Sequence, residues 1–144
     1  KTTIERPRGV CFMVNSEYVK NVGLMDERFF MYCEEVDWAL RFKINGYLRE
    51  ICYSAKVGHI WGGASKKYES LLSKIHFQSD YKYFKKHFGT KGCILFNLGV
   101  ICSLCLSFFL YFLNIFNSVK RKELKTKIYF YLFFLTNFKD LKVS

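Results

Sequence analysis

Three acidic side chains lie together at the start of one predicted helix. Glu34, Glu35 and Asp37 open the segment EEVDWALRFKIN, and Gly46 stands where a C-cap glycine belongs. Two adjacent carboxylates at a helix start can act as a general base and the group that orients it. Acids at this position also interact favourably with the positive end of the helix dipole, by about 0.3–1 kcal/mol each. The residue types alone therefore leave catalysis and helix stabilisation both open.

His59 is the second side chain that could do chemistry. It ends a short predicted strand just before Trp61 and a glycine pair. Imidazole is a good ligand for divalent metals, and strand ends that lead into glycine loops often hold functional sites. A lone histidine is more often an ordinary surface or hydrogen-bonded residue, and both interpretations stay open. His76 and His87 lie on a basic helix and are predicted to face solvent.

The six cysteines have no spacing that indicates a disulfide framework. Cys102 and Cys105 form a C-x-x-C inside an apolar run, with no histidine or second cysteine pair nearby to complete a metal site. We therefore expect these two side chains to pack as small apolar groups. The remaining thiols are expected to be reduced in a protein that faces the cytosol.

The elements that must position the acids and His59 predict an α/β arrangement in the first half of the chain. Short apolar runs rich in strand-forming residues predict strands, and capping residues with helical spacing predict helices. In the first helix, Ser16 is the expected N-cap and Gly23 the end. In the second, Val36, Leu40 and Ile44 are spaced to form one apolar face. The predicted strands cover residues 9–14, 47–53 and 56–60, and the helices cover 16–22 and 34–45.

The second half of the chain has a different character. Residues 68–88 predict a helix that Gly89 ends, and residues 92–119 contain no charged side chain. About 20 apolar residues suffice to cross a bilayer, so this run is long enough, although its asparagines leave a bent or re-entrant path open. Burial inside a soluble domain is the alternative, but small domains rarely bury so long an uncharged run. Residues 128–138 are too short to span and suit the membrane interface.

The net charge of +11 belongs almost wholly to the second half. Residues 1–65 contain nine basic and eight acidic side chains, whereas residues 66–144 contain fourteen and four. The basic residues flank the uncharged run on both sides, where each attracts anionic lipid by roughly 1 kcal/mol. Nucleic acid is the rival partner, but the basic residues follow no recognisable reading motif. We therefore expect a membrane partner and no nucleic acid, with both flanks on the cytoplasmic side.

The order of motifs carries a resemblance to a known family. The run VGLMDERFFMYCEEVDWALRFKINGY at 22–47 resembles the second half of family 2 glycosyltransferases, most of all the rhamnosyltransferase-like branch. That branch continues with a histidine-glycine segment and a basic aromatic helix. Here they are matched by HIWGGAS at 59–65 and YFKKHFG at 83–89. The resemblance covers about residues 9–89, and the order and spacing of its pieces make it specific.

The resemblance implies an α/β fold, namely part of a GT-A (Rossmann-like) catalytic domain over residues 1–90, followed by membrane-associated helices over 91–144. It implies an inverting glycosyltransferase that moves a sugar from a nucleotide-diphosphate donor to an acceptor hydroxyl. The acceptor would be a lipid-linked or surface-polysaccharide precursor at the cytoplasmic face of the cell membrane, and no protein partner is implied. The alternative is a non-catalytic membrane-anchored module or a decayed transferase fragment.

The resemblance also implies roles for single residues. By position in the motif, Glu35 is the catalytic base, and Glu34 supports and orients it. Asp37 and Arg41 would brace the helix by charge pairing one turn apart. His59 would approach the metal and the donor diphosphate. The acceptor side would be lined by Met31, Tyr32 and Trp61.

The implied cofactor is Mg²⁺ or Mn²⁺, which the family usually holds with a D-x-D motif. No D-x-D occurs in these 144 residues, and the first residue is Lys rather than Met. The metal site and the nucleotide-binding half are therefore expected upstream of this chain, and this part alone is expected to be inactive. The Q-x-x-R-W motif of processive synthases is absent from the sequence, which favours a single-addition enzyme.

Overall fold

The structure, a computed structural model, describes residues 3–60, 68–114 and 117–136. Helices account for 66% of the described residues. The chain divides into two compact units, Lys1–Tyr83 and Phe84–Ser144, and each is taken by itself below. The helices are α1 (Ser16–Val22), α2 (Glu34–Ile44), α3 (Glu69–Leu113) and α4 (Ser118–Thr136).

The predicted α/β, GT-A-like fold is wrong, because the described part of the chain contains no strand or sheet. One isolated antiparallel bridge joins Thr3 to Glu50, and the Ile4 N–H donates to the Arg49 carbonyl at 3.0 Å. A strand persists only beside a partner that takes up its backbone groups, and residues 9–14 join no ladder within the described ranges. Met13 is 98% exposed, so this segment is not the buried strand that its composition predicted.

Helix α1 is confirmed by the structure, with a different N-cap. The side-chain oxygen of Asn15 accepts a hydrogen bond from the Glu17 N–H at 2.9 Å, so Asn15 is the cap rather than Ser16. Asparagine oxygen reaches the free N–H groups of the first turn in this way. Gly23 ends the helix as predicted, with a φ of +81° that favours glycine.

Helix α2 is also confirmed, and Gly46 follows its end with a φ of +79°. The predicted apolar face is wrong at Ile44, which is 71% exposed at the last position of the helix. Val36 and Leu40 on the same face are half-buried. The buried residues of the helix are Asp37, Ala39 and Phe42.

Helix α3 is broken at Gly89, whose φ of +59° and ψ of −144° are not helical, which confirms the predicted end there. The rings of Phe84 and Phe96 lie 5.5 Å apart, whereas a straight helix would separate them by roughly 18 Å. The chain therefore turns sharply between them. Gly92 sits inside this turn, where an added Cβ would collide with the Phe84 carbonyl oxygen and lie 2.5 Å from the Phe88 Cβ.

By length and composition, α3 is able to cross a membrane over Leu71–Leu113. Its most apolar window has a mean hydropathy of 2.4, and only 11% of that window is buried. The core helix of a soluble protein is mostly buried, so this helix differs from that alternative. Cys102 and Cys105 are exposed on it as free thiols rather than packed as predicted.

Helix α4 joins two segments that the sequence analysis treated separately. The basic stretch at 120–127 and the aromatic residues up to Thr136 form one continuous helix. Within the second unit, the buried residues on α3 and α4 include Val100, Ser107 and Ile128. Val100 and Ser107 are two helical turns apart, so they lie on one face of α3.

Candidate functional site

The start of α2 lies beside an apolar cleft of about 260 Å³ in the first unit. The cleft is lined largely by apolar side chains, and four of them are aromatic, namely Phe12, Tyr18, Trp38 and Phe42. Glu35 and Arg49 supply polar groups to the same lining. A mostly apolar pocket with a few polar groups is typical of a small-molecule site.

The aromatic wall of the cleft is fixed by mutual ring contacts. Trp38 meets Phe12 edge to face at 5.9 Å and Phe42 at 5.3 Å between ring centroids. The Trp38 indole N–H donates to the Gly23 carbonyl at 2.8 Å, so the ring has one orientation. Edge-to-face pairs contribute about 0.5–1.5 kcal/mol beyond the area they bury. The wall is therefore a rigid surface rather than a loose apolar patch.

Glu34 and Glu35 stand at the first turn of α2 with incomplete hydrogen bonding. The Oε2 atoms of both are buried and have no hydrogen-bond partner among the described residues. Glu35 lies against Gly9, where an added Cβ would be 3.7 Å from the Glu35 Cδ. Burial raises the pKa of Glu34, and the neighbouring Glu35 carboxylate raises it further. The pair thus combines a raised pKa at Glu34 with a buried carboxyl oxygen on each residue that has no partner within the described part of the chain.

The chain enters α2 through a strained turn, residues 31–33. Tyr32 and Cys33 both have a φ of +66°, in the left-handed region that non-glycine residues rarely occupy. This conformation costs roughly 1–2 kcal/mol per residue. Such strain persists only where surrounding contacts hold it, and it is common at functional sites.

The beginning of α3 supplies those contacts, and we call His76, Ser79 and Asp80 the α3 clamp. The Ser79 hydroxyl donates to the Met31 carbonyl at 2.6 Å. The Cys33 thiol donates to Asp80 Oδ1 at 3.2 Å. The His76 ring lies 4.6 Å from the Tyr32 ring and its Nδ1 is 3.0 Å from Asp80 Oδ2. Each residue of the 31–33 turn is thus held by α3.

Cys33 is an inert structural thiol in this arrangement. Burial raises the pKa of Cys33, and the Asp80 carboxylate adds to the rise through a hydrogen bond and its charge. The thiolate is the reactive form of cysteine, so a thiol kept protonated is not a nucleophile. Its contribution is the hydrogen bond to Asp80.

Asp37 and Arg41 form the ion pair, one turn apart, that the sequence predicts. Asp37 is 0% exposed, and its Oδ2 accepts from Arg41 Nε at 2.9 Å. The two terminal nitrogens of Arg41 donate to the carbonyls of Val22 and Leu24, each at 2.7 Å. One guanidinium therefore fixes the segment after α1 to the middle of α2, and this sets the position of the carboxylate pair.

The structure brings some of the predicted site residues together and leaves others apart. Glu34, Glu35, Asp37 and Arg41 share α2, and the 31–33 turn, with Met31 and Tyr32, leads directly into it. His59 is exposed and is not among the residues that line the cleft. Trp61 lies outside the described residues. No group of three His, Cys, Asp or Glu side chains in the described ranges could hold a metal ion.

The α3 clamp was missed by the sequence analysis. The prediction that His76 simply faces solvent is incomplete, because its ring contacts Tyr32 while about half of the side chain stays exposed. A signal was present, since His76 and Asp80 are four residues apart and therefore share a helix face. Nothing in the sequence pairs that face with the 31–33 turn.

The arrangement offers one ionisable pair beside a rigid aromatic cleft, which suits proton transfer from a bound ligand. In comparisons with known proteins, no family model, curated protein or solved structure matches this chain. The function is therefore argued from the residues and their geometry.

Proposed function

We propose that the chain is the acceptor-binding and base-carrying part of a membrane-associated inverting glycosyltransferase, similar to the rhamnosyltransferase-like branch of family 2. The observation that carries the proposal is the Glu34–Glu35 pair beside the aromatic cleft. The motif order at 22–47 supports the choice of reaction. The proposal does not use the GT-A fold, which the described residues lack.

Glu35 is the general base of the proposed reaction. The acceptor oxygen forms a bond to the anomeric carbon while the bond from that carbon to the donor diphosphate breaks, and the hydroxyl proton moves to Glu35. A base must reach the proton and have a lone pair to receive it. Glu35 Oε2 has no hydrogen-bond partner among the described residues, so it has no existing bond to give up.

Glu34 orients the base. Burial raises the pKa of Glu34, and in its protonated form this carboxyl can donate a hydrogen bond to an adjacent carboxylate. A neutral Glu34 would also avoid a second negative charge next to Glu35. Two coupled carboxyls lose their protons in two separate steps for this reason. In this proposal Glu34 positions the neighbouring side chain and Glu35 accepts the proton.

The cleft is the proposed acceptor site. Sugar rings present apolar C–H faces as well as hydroxyls, and rigid aromatic walls such as Trp38 and Phe12 match those faces. A lipid-linked acceptor lies at the membrane surface, and the apolar part of α3 would keep the enzyme at the same surface. We place that surface on the cytoplasmic side, where nucleotide-sugar donors are available.

The divalent metal and the donor site belong to sequence upstream of Lys1 in this proposal. The metal would offset charge on the departing diphosphate. The described residues contain no three-ligand cluster for it, so no step is assigned to a metal here. The approach of His59 to metal and diphosphate remains what the resemblance implies.

The test uses the whole reading frame that contains this chain, expressed in membranes. Transfer from labelled nucleotide-diphosphate sugars to lipid-extractable acceptors is measured beside binding of the labelled donor. Glu35→Gln is expected to lower transfer by about 10²–10⁴-fold, the usual contribution of a general base, while donor binding is retained. Glu27→Gln, which removes an exposed acid that does not line the cleft, is the matched control and should leave transfer unchanged.

Two results would count against the proposal. Retained turnover in Glu35→Gln would remove Glu35 from the role of base. If the unmodified protein transfers sugar from no nucleotide-diphosphate donor, the glycosyltransferase proposal fails. The non-catalytic membrane-anchored module would then take its place.

A further inference from the structure

Five aromatic rings beside the apolar cleft of the first unit form a continuous chain of contacts, which we call the aromatic arc. The centroids of successive rings lie 4.2, 5.9, 5.3 and 5.9 Å apart. In order of contact, the rings are Tyr18, Tyr47, Phe42, Trp38 and Phe12.

Tyr47 is the member of the arc that is not among the described residues lining the cleft. Its ring is stacked on that of Tyr18, with 14° between the two planes, and meets the Phe42 ring at 60°. Tyr18 and Phe42 both line the cleft. Tyr47 therefore contacts two lining rings from outside the lining, and it can act on a bound ligand through them.

The Tyr47 ring is fixed at both ends of its side chain. Gly46, with a φ of +79°, turns the chain back after α2, and the Tyr47 N–H donates to the Phe42 carbonyl at 3.0 Å. At the other end, the Tyr47 hydroxyl accepts a hydrogen bond from the side-chain amide of Asn21 at 2.8 Å.

The end of α1 anchors the arc at two points. One is the amide of Asn21, and the other is the carbonyl of Gly23, which accepts from the Trp38 indole N–H. Tyr18 lies on the same helix, is 41% exposed, and has its ring stacked on Tyr47. The orientation of the Tyr18 ring in the cleft therefore depends on Tyr47.

We infer that Tyr47 is a positioning residue for the sugar acceptor, because it holds the Tyr18 ring as a fixed wall of the cleft, while Asn21 holds Tyr47. Since the ligand of the cleft is taken to be the acceptor, this role rests on the proposed function. A ring that is fixed before binding loses less conformational entropy when the ligand enters. Glu35 is placed by the hydrogen bonds of Arg41 instead, so Tyr47 acts on acceptor affinity and not on proton transfer.

The test measures kcat and the apparent KM for acceptor, using the whole reading frame in neutral detergent, saturating nucleotide-diphosphate sugar and increasing amounts of the lipid extract of the same membranes. Tyr47→Leu is expected to raise this KM about two- to tenfold, the cost of immobilising one side chain on binding, with kcat unchanged. Tyr47→Phe keeps the stacked ring and should retain most of the affinity. The matched control is Phe30→Leu, which removes a ring that is 81% exposed and is not among the described lining residues; it should change neither constant.

A double-mutant cycle separates positioning from a general loss of structure. If Tyr47 acts through Tyr18, Tyr47→Leu should raise KM no further once Tyr18→Leu has removed the neighbouring ring. Asn21→Ala and Tyr47→Phe remove the same hydrogen bond from its two ends, so their effects should be small and equal. Because Asn21 is exposed, Asn21→Ala should fold normally and tests the anchor even if Tyr47→Leu does not fold. Far-UV circular dichroism checks the folding of each variant.

A second measurement does not depend on glycosyl transfer. In a Trp61→Phe background, Trp38 is the remaining tryptophan, and quenching of its fluorescence by acrylamide reports access to the cleft. Tyr47→Leu is expected to raise the quenching constant, because the arc beside Trp38 loses a ring, whereas Phe30→Leu should leave it unchanged.

Four results would overturn the role of Tyr47. The first is an unchanged KM together with unchanged quenching in Tyr47→Leu, and the second is a fall in kcat at unchanged KM. The third is a further rise in KM in the Tyr18→Leu background, which would mean that Tyr47 does not act through Tyr18. The fourth is an equal rise in Phe30→Leu. If the unmodified protein transfers no sugar, the proposed function fails, and the quenching experiment then decides whether Tyr47 shapes the cleft.

Discussion

Within each of the two compact units, a different kind of contact dominates. In the first, side chains from distant parts of the sequence meet through directed hydrogen bonds, as when Arg41 joins α2 to the carbonyls of Val22 and Leu24. In the second, the described residues form long helices whose large apolar side chains, such as Phe112, are exposed. Hydrogen bonds such as those of Arg41 fix the positions of particular atoms. An exposed apolar helix fixes no such positions and indicates only that its surroundings are apolar. The contrast separates the unit that carries the proposed carboxylate site from the unit whose long apolar helix is able, by length and composition, to cross a membrane.

The largest expected effect tests the directed contacts of the first unit. Arg41→Ala leaves the fully buried Asp37 carboxylate without its cation, which typically costs about 3–5 kcal/mol. The free energy of unfolding is measured with urea in neutral detergent, using tryptophan fluorescence, since both tryptophans belong to the first unit.

The control for this variant is an exposed ion pair of the same unit. Arg28→Ala removes the pair with Asp26, in which the arginine side chain is 66% exposed, and should cost no more than about 1 kcal/mol. Similar losses in the two variants would break the comparison, because burial would then not be what makes the Arg41 contact important.

The next effect tests the second unit at Gly92, where the packing is tight. Gly92→Ala places a Cβ against the Phe84 carbonyl and the Phe88 side chain, and we expect a loss of about 1–3 kcal/mol as the turn is forced open. Gly99→Ala is the matched control, since nothing lies within 4 Å of its added Cβ and alanine favours helix by about 1 kcal/mol. Thermal melts followed by far-UV circular dichroism should therefore move in opposite directions.

The smallest effect is a pH dependence at Glu34. Its pKa is raised above the ordinary value of 4.5, so its favourable contribution is present below that pH and is lost as pH rises through the folded-state pKa. Glu34→Gln mimics the protonated form and should raise Tm at neutral pH, with the gain disappearing near pH 4. Glu17→Gln, which alters only an exposed pair with Lys20, should show little change at either pH. A gain that persists unchanged at low pH would contradict the burial of Glu34.

The helices could be predicted because their signals are local. Gly23 ends α1 and Gly89 breaks α3, as predicted, through backbone preferences that depend only on nearby residues, whereas the N-cap of α1 was placed one residue late, at Ser16 instead of Asn15. The Asp37–Arg41 pair followed from helical spacing in the same way. These features need no knowledge of the rest of the fold.

The α3 clamp and the absence of strands from the described residues could not be predicted, because both depend on partners far away in sequence. Residues 9–14 have strand composition, but a strand also needs a neighbour, and the described residues give them none. The two hydrogen bonds from Arg41 reach carbonyls some 20 residues earlier, which no local pattern indicates. The contact of Ser79 with Met31 likewise joins residues 48 apart.

The two left-handed residues at 32 and 33 have a mechanical consequence. Their backbone lies roughly 2–4 kcal/mol above a relaxed conformation, so the contacts of the α3 clamp must offset this strain to keep the turn in place. If Ser79 and Asp80 lose their hydrogen bonds to the turn, we expect its backbone to relax and the first turn of α2 to move with its carboxylates. The start of α3 would thus control the alignment of Glu35, the proposed base, without contributing an atom of its own to the proposed reaction.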